Sequence, residues 1–193
     1  ILFAIITILN YLRNFMTKIF FDTEFTGLQL NTSLISIGLV TEHGFSFYAE
    51  LNDYKKELLD TMGCKDDVLN SLQFKDSHNV SINENYSRHV SMKGDSNSVA
   101  TELQKWLQQF GYVTMVADVL TWDWILFCEL FGGAFKIPQN VHYIPIDIST
   151  IFDLKLNNSD INRVEFSGLD FSNHNALNDA YITKACYEIL KTI

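Results

Sequence analysis

Four acids and one histidine carry the chemistry this sequence offers, and they fall in three places. Asp22-Thr23-Glu24 closes the apolar run Lys18-Ile19-Phe20-Phe21. In an extended strand, residues i and i+2 project to the same face, so the two carboxylates point together. They repel each other, and the run before them supplies no counter-charge. A hard divalent cation such as Mg²⁺, which prefers carboxylate oxygens, relieves that repulsion. A strand end with two solvated acids fits the same three residues. The second place is Asp123, the one acid in the first half of the segment WDWILFCELF. Burying an unpaired carboxylate costs on the order of several kcal/mol, so it needs a partner or a metal. A helix-start Asp stabilised by the helix dipole is the competing reading. Asp118 is the alternate acid, and Glu129 lies about one and a half turns further along. The third place is His174-Asn175-Ala176-Leu177-Asn178-Asp179. Five positions apart, two residues sit on different sides of a continuous helix. With His174 in a loop and Asp179 in the first turn of the helix that follows, both face one cleft. A neutral imidazole there is the usual general base near neutral pH, and a surface histidine at a helix start is the plainer alternative.

The surrounding pattern must supply elements that position these groups. Residues 18–23 predict a buried strand, 33–41 a second and 45–51 a third, joined by the turns Thr26-Gly27 and Glu42-His43-Gly44 as an antiparallel meander. From Asn52 to Ser98 the chain is polar and weakly patterned. A helix over Lys65–Phe74, with Val68, Leu69 and Leu72 at helical spacing, is its one candidate element, and 79–97 reads as surface loop. Ser98 predicts an N-cap for a helix carrying Val99, Leu103, Trp106, Leu107 and Phe110 on one stripe. After Gly111, Tyr112 to Ala117 is a near-continuous apolar strand of the kind found mid-sheet. Residues 122–131 predict a buried helix ending at Gly132-Gly133, and Val141–Ile148 a fifth strand followed by a helix through Ile151 and Phe152. A last helix from about Asn175 turns Ala176, Ile182, Ala185 and Ile189 inward. Strands first, then helix alternating with strand, define an α/β layered fold with a central mixed five-stranded sheet, three strands antiparallel and two parallel.

Composition narrows the class. The chain of 193 residues is 47% hydrophobic with fifteen Phe and two Pro, which suits one packed domain. Cys64, Cys128 and Cys186 are odd in number and widely spaced, arguing for a reducing compartment, hence a cytoplasmic setting, and against a disulfide framework or zinc site. The formal net charge of −9 disfavours non-specific duplex binding. It leaves open an enzyme whose bound cations, held by carboxylates, meet the phosphates. Residues 1–15 form a short apolar stretch broken at Asn10, too short to span a bilayer and without the basic start of a secretory signal. We read them as an extension extraneous to the fold, with Met16 as the biological start and residues 16–193 as the domain. A short membrane anchor is the minority reading.

Taken together, D-x-E on a first strand, a lone Asp on a mid-chain helix and H-x-x-x-x-D opening a late helix resemble the DEDDh exonuclease superfamily, which includes polymerase proofreading subunits, oligoribonuclease and ribonuclease T. Phe21-Asp22-Thr23-Glu24-Phe25-Thr26-Gly27-Leu28 is very similar to the superfamily's first motif, and Leu34-Ile35-Ser36-Ile37-Gly38 matches its second strand. WDWILFCELFG and HNALNDA resemble motifs of the small bacterial and phage 3′–5′ exoribonucleases, and the likeness spans residues 18–190. A polar pair such as His-Asn often precedes the helix Asp in that group. Here the stretch is Ala117-Asp118-Val119-Leu120-Thr121, so Asp118 and Asp123 both remain candidates for the second motif.

The resemblance implies a ribonuclease H-like fold and a metal-dependent 3′→5′ exonuclease. It acts on the 3′ end of single-stranded RNA, or of DNA, and releases nucleoside 5′-monophosphates. It implies that Asp22, Glu24, Asp123 and Asp179 hold two Mg²⁺ or Mn²⁺ ions roughly 3.5–4 Å apart. His174 would deprotonate the attacking water. Thr23, Phe25, Thr26, Gly27 and Leu28 would lie against the terminal nucleotide, Leu28 wedging beside its base. Trp122, Trp124 and Phe25 flank the acids and can stack on bases, although core packing suits Trp124 better. No membrane partner is expected, and a homodimer is one option for the assembly. The alternatives are a proofreading or repair type exodeoxyribonuclease and a catalytically silent binding module. An endonuclease or integrase of the same fold would lack the late H-x-x-x-x-D pair.

Overall fold

The computed structural model describes residues 16–61, 65–74, 81–84, 89–171 and 174–193. The expected extension over residues 1–15 and Cys64 lie outside them.

Strand β1 (Thr17–Phe25) pairs antiparallel with β2 (Leu34–Thr41), and β2 with β3 (Ser46–Leu51). This is the expected meander. The register sets Asp22 opposite Gly38 and Glu24 opposite Ser36. β6 (Val113–Ala117) lies parallel to β1 on its other side, and β7 (Ile146–Asp147) continues the sheet parallel to β6. The strand expected over 141–148 is cut to that pair and an isolated bridge from Val141 to Val113, because Asp147 turns to cap the following helix.

Among the described residues the sheet has seven strands, which corrects the expected five. β4 (Ser81–Glu84) and β5 (His89–Gly94) extend the meander edge, giving the order β4-β5-β3-β2-β1-β6-β7. β5 runs parallel to β3. In β5 only Val90, Met92 and Gly94 are buried, so its sequence alternates with polar residues and reads as loop.

Among the described residues six α-helices flank the sheet: α1 (Lys65–Ser71), α2 (Ser96–Leu107), α3 (Thr121–Leu130), α4 (Ile148–Leu156), α5 (Arg163–Ser167) and α6 (Ala176–Leu190). α2 starts earlier than expected: Asp95 is the N-cap, and its side chain accepts from the Ser98 N–H. Ser98 is therefore a donor inside the first turn. α3 is less enclosed than its composition suggests, with Ile125 on the surface while Asp123, Leu126, Phe127 and Cys128 are buried.

Both faces of the sheet are packed, which explains why its central strands are apolar throughout. On one face Ile19, Phe21, Ile37, Leu39 and Phe47 meet Leu103 and Trp106 of α2 and Phe127 of α3. On the other, Phe20, Val40 and Val116 meet Phe152 of α4 and Ala180, Ile182, Cys186 and Leu190 of α6. The inward stripe of α6 thus runs through Cys186 and Leu190, with Ala185 and Ile189 half-buried beside it.

Gly38 fixes how closely α6 approaches. A Cβ there would stand 2.3 Å from the backbone of Ala176 and Leu177, so strand and helix touch main chain to main chain. Gly38→Ala keeps a backbone conformation open to any residue and adds only that clash. It is expected to lower unfolding stability by about 1–3 kcal/mol, the usual cost of overpacking. Thermal melting checks this, and an unshifted transition would contradict the contact.

Candidate active site

The alternation of β1 sends Phe20, Asp22 and Glu24 towards α6, and Ile19, Phe21 and Thr23 towards α2 and α3. α6 begins over Gly38, which is the register partner of Asp22. Its first turn therefore delivers Asp179 beside the D-x-E pair. One carboxylate oxygen from each of Asp22, Glu24 and Asp179 lies within 4.8 Å of the other two. Such an all-oxygen donor set suits a hard divalent cation.

Asp123 arrives from the opposite layer. It is buried in the first turn of α3, and its Oδ1 accepts from the Thr23 N–H at 3.0 Å and the Thr23 hydroxyl at 2.5 Å. The odd-numbered member of the D-T-E triplet thus holds the fourth acid, which lies near enough to raise the two even-numbered ones. Asp118 has a different fate. Arg163 grips it with Nε to Oδ2 at 2.7 Å and Nη2 to Oδ1 at 2.9 Å, and the Ser149 hydroxyl adds a third bond at 2.6 Å. The guanidinium also lies 4.0 Å over the Phe152 ring. A carboxylate held bidentate by arginine has its counter-charge already. Of the two candidates, Asp123 is the one without a cationic partner among the described residues.

The electrostatics follow from this crowding. Burial, then repulsion from Asp123, Asp179 and Glu24, raises the Asp22 carboxyl well above its ordinary range. Burial with Asp179 and Asp123 nearby pushes Glu24 up to about 8. Burial raises Asp123 to about 7, against the lowering effect of the two Thr23 bonds. Asp179 rises to about 6 through burial, offset by the charge of His174 and by the backbone N–H groups of His174 and Asn175.

His174 lies just before α6 in the left-handed region, with φ 65°. Asn175 caps the helix, its side chain accepting from the Asn178 N–H at 3.2 Å. The nucleotide-facing set divides. Thr23 is turned to Asp123, and Thr26 is fully buried, accepting from the Ser33 N–H at 3.0 Å to close the β1–β2 loop. Their side chains build the frame instead of facing outwards. Gly27, at φ 142°, makes a turn that leaves Leu28 73% exposed. Phe25 packs against Trp122 at 6.2 Å between ring centroids, and Trp124 stacks on Phe127 at 5.4 Å within the core. Arg163 and Ser149 were not legible as part of the site's frame, because their link to Asp118 spans 45 and 31 positions.

Among solved structures, S. pombe Pop2p in its Mg²⁺- and Mn²⁺-bound form matches at a TM-score of 0.54 and 17% identity, over 96% of this chain and 87% of that one. The shared feature is the fold, a ribonuclease H-like α/β sheet with helices on both faces. Residues 17–190 match the family model of the Rv2179c-like 3′-5′ exoribonuclease domain, and the chain belongs to that family. It is thus a 3′–5′ exonuclease by family, with RNA as its substrate class. No curated protein matches the sequence significantly. Among the described residues, no helix is long and apolar enough to cross a membrane.

Carboxyls with raised folded-state values bind more protons in the folded than in the unfolded chain, where they titrate near about 4. Stability from these groups is therefore full below about pH 4 and declines as pH rises through the folded values of about 6, 7 and 8. In EDTA, melting temperature is expected to fall between about pH 5 and pH 8. Mg²⁺ should flatten that slope, and Glu24→Gln should shrink it. Calorimetric melting of both proteins across this range is the check. Identical slopes for wild type and Glu24→Gln would contradict the assignment for Glu24.

Proposed function

We propose that this exoribonuclease hydrolyses the terminal phosphodiester at the 3′ end of single-stranded RNA, with divalent cations held by Asp22, Glu24, Asp123 and Asp179. The convergence of the Asp22, Glu24 and Asp179 oxygens within 4.8 Å carries this reading. Two Mg²⁺ or Mn²⁺ ions, when bound, supply the charge that offsets these carboxylates and stabilises the attacking and leaving oxygens of an in-line displacement. Asp123 stands outside that group of three, held by Thr23 through two hydrogen bonds, and is the fourth acid of the proposed set.

His174 takes a proton from the attacking water at an imidazole nitrogen. The water oxygen bonds to phosphorus, the bond from phosphorus to the 3′-oxygen breaks, and that oxygen collects a proton from solvent. The product is a nucleoside 5′-monophosphate and a strand one nucleotide shorter. The apolar Leu28 side chain, exposed beside the D-x-E motif, meets the terminal base, while Phe25 and Trp122 form the wall behind it.

End-labelled single-stranded RNA and DNA, incubated with Mg²⁺, Mn²⁺ or EDTA, test the reaction directly. Stepwise 3′ shortening of RNA that stops in EDTA is expected; DNA as the better substrate would overturn the RNA assignment. Asp22→Ala should abolish both cleavage and metal-dependent stabilisation, since it removes a ligand. His174→Ala should leave metal-dependent stabilisation intact and lower the rate roughly 10²–10⁴-fold, the usual worth of a positioned base. Raising pH should partly restore His174→Ala and not Asp22→Ala, because hydroxide substitutes for a base but not for a ligand. Wild-type turnover by His174→Ala at neutral pH would sink the general-base assignment.

A further inference from the structure

We propose that Ser71, anchored through the buried Glu50, is a positioning residue that holds the His174 loop in its working conformation. This inference rests on the reading of His174 as the general base. The segment between β3 and α2 had no evident task in sequence, and the structure ties it to that loop. The Ser71 hydroxyl, at the end of α1, shares its one proton between the Val68 carbonyl of its own helix at 2.8 Å and the carbonyl of His174. In return the Asn175 side-chain amide donates to the Ser71 carbonyl at 2.9 Å. The peptide unit joining His174 to Asn175 is thus bracketed by one residue of α1. Such bracketing matters here because His174 carries a β-carbon in the left-handed region, which residues other than glycine avoid unless their surroundings impose it.

α1 is itself fixed from the sheet. Val68 is fully buried against Ile35 and Leu59. Two and three residues after Ser71, the Gln73 and Phe74 N–H groups donate to Glu50 Oε1 at 2.5 and 3.0 Å, and the Tyr48 hydroxyl joins them at 2.9 Å. Lys93 donates to the Phe74 carbonyl at 2.5 Å, with its Nζ 3.8 Å from Glu50 Oε2. Glu50 is 1% exposed: its Oε1 gathers three donors, while among the described residues Oε2 makes no hydrogen bond and faces the Lys93 ammonium. Its partners are the backbone of the very turn that presents Ser71. Hydrogen bonds therefore tie β3 to Gln73 and Phe74, and through the short backbone link to Ser71 they tie the end of α1 to His174 and Asn175. Neither Ser71 nor Glu50 is among the clustered acids, so their effect on the reaction must pass through His174.

Kinetic coupling distinguishes this from a purely structural role. Ser71→Ala should lower kcat roughly 10- to 100-fold, as expected when a reacting group is displaced by about an ångström. KM and the Mg²⁺-dependent melting shift should stay close to wild type. Ser71→Thr keeps the hydroxyl and should recover most of the rate. In a His174→Ala background, Ser71→Ala should change kcat by no more than about twofold, the spread of independent sites. Glu50→Gln, which keeps one acceptor oxygen, should show a smaller loss with the same dependence on His174. It provides a second route to the test if Ser71→Ala folds poorly. Equal losses from Ser71→Ala with and without His174 would overturn this inference alone, leaving the base assignment standing. Wild-type turnover by His174→Ala would remove the base assignment and this inference with it.

Discussion

Mutual repulsion among carboxylates is the constraint that the rest of this molecule answers to. Asp22, Glu24 and Asp179 bring their oxygens within 4.8 Å of one another, and Asp123 raises two of them further. Left alone, such an arrangement would push its members apart, so the scaffold has to hold it by force of packing. It does so by drawing the acids from both layers of a sheet that is buried on both faces. It also softens the strain selectively. Thr23 bonds to Asp123, and backbone N–H groups at the start of α6 favour the Asp179 anion, as helix N-termini do. Neither device neutralises a charge. The cluster keeps its appetite for cations.

The same economy shows in what is excluded. Asp118 stands close enough to raise Asp22, yet Arg163 supplies it with a fixed cation. One acid of five is thereby given to structure, where it joins α5 to the end of β6, and the other four are the ones proposed to hold cations. The overall charge of −9 is consistent with this division. In the proposed reading, bound cations rather than a broad positive surface meet the anionic substrate.

Much of the frame was legible because period and composition coincide. β1, β2 and β6 are apolar runs of strand length, and the stripe of Val99, Leu103, Trp106 and Leu107 marks one helix face. The D-x-E parity argument follows from strand geometry alone. What escaped was set by distant partners. β5 buries only half its side chains at the sheet edge, so polar residues mask it. Asp95 and Ser98 are both good capping types, and only the observed bond tells which one caps. The stripe of α6 follows the i, i+4 rows from Ile182 to Cys186 and Leu190, while Ala185 and Ile189 sit one position to the side. Asp118 and Asp123 look equivalent until a guanidinium 45 residues away claims one of them. Thr23 and Thr26 illustrate a similar limit. A motif can name residues near a substrate without saying whether their side chains face it or brace the loop behind it.

Contact between Gly38 and the start of α6 bears on how much sequence drift the enzyme tolerates. Where a helix rests on a strand through side chains, each change of volume in the layer between them shifts the helix slightly. Here the spacing between Asp22 and Asp179 is gauged by main chain against main chain, with nothing compressible interposed. Residues further along α6, such as Ile182, Cys186 and Leu190, can change size around that fulcrum at their own end of the helix. The distance on which the acids depend is thus calibrated by a single missing side chain.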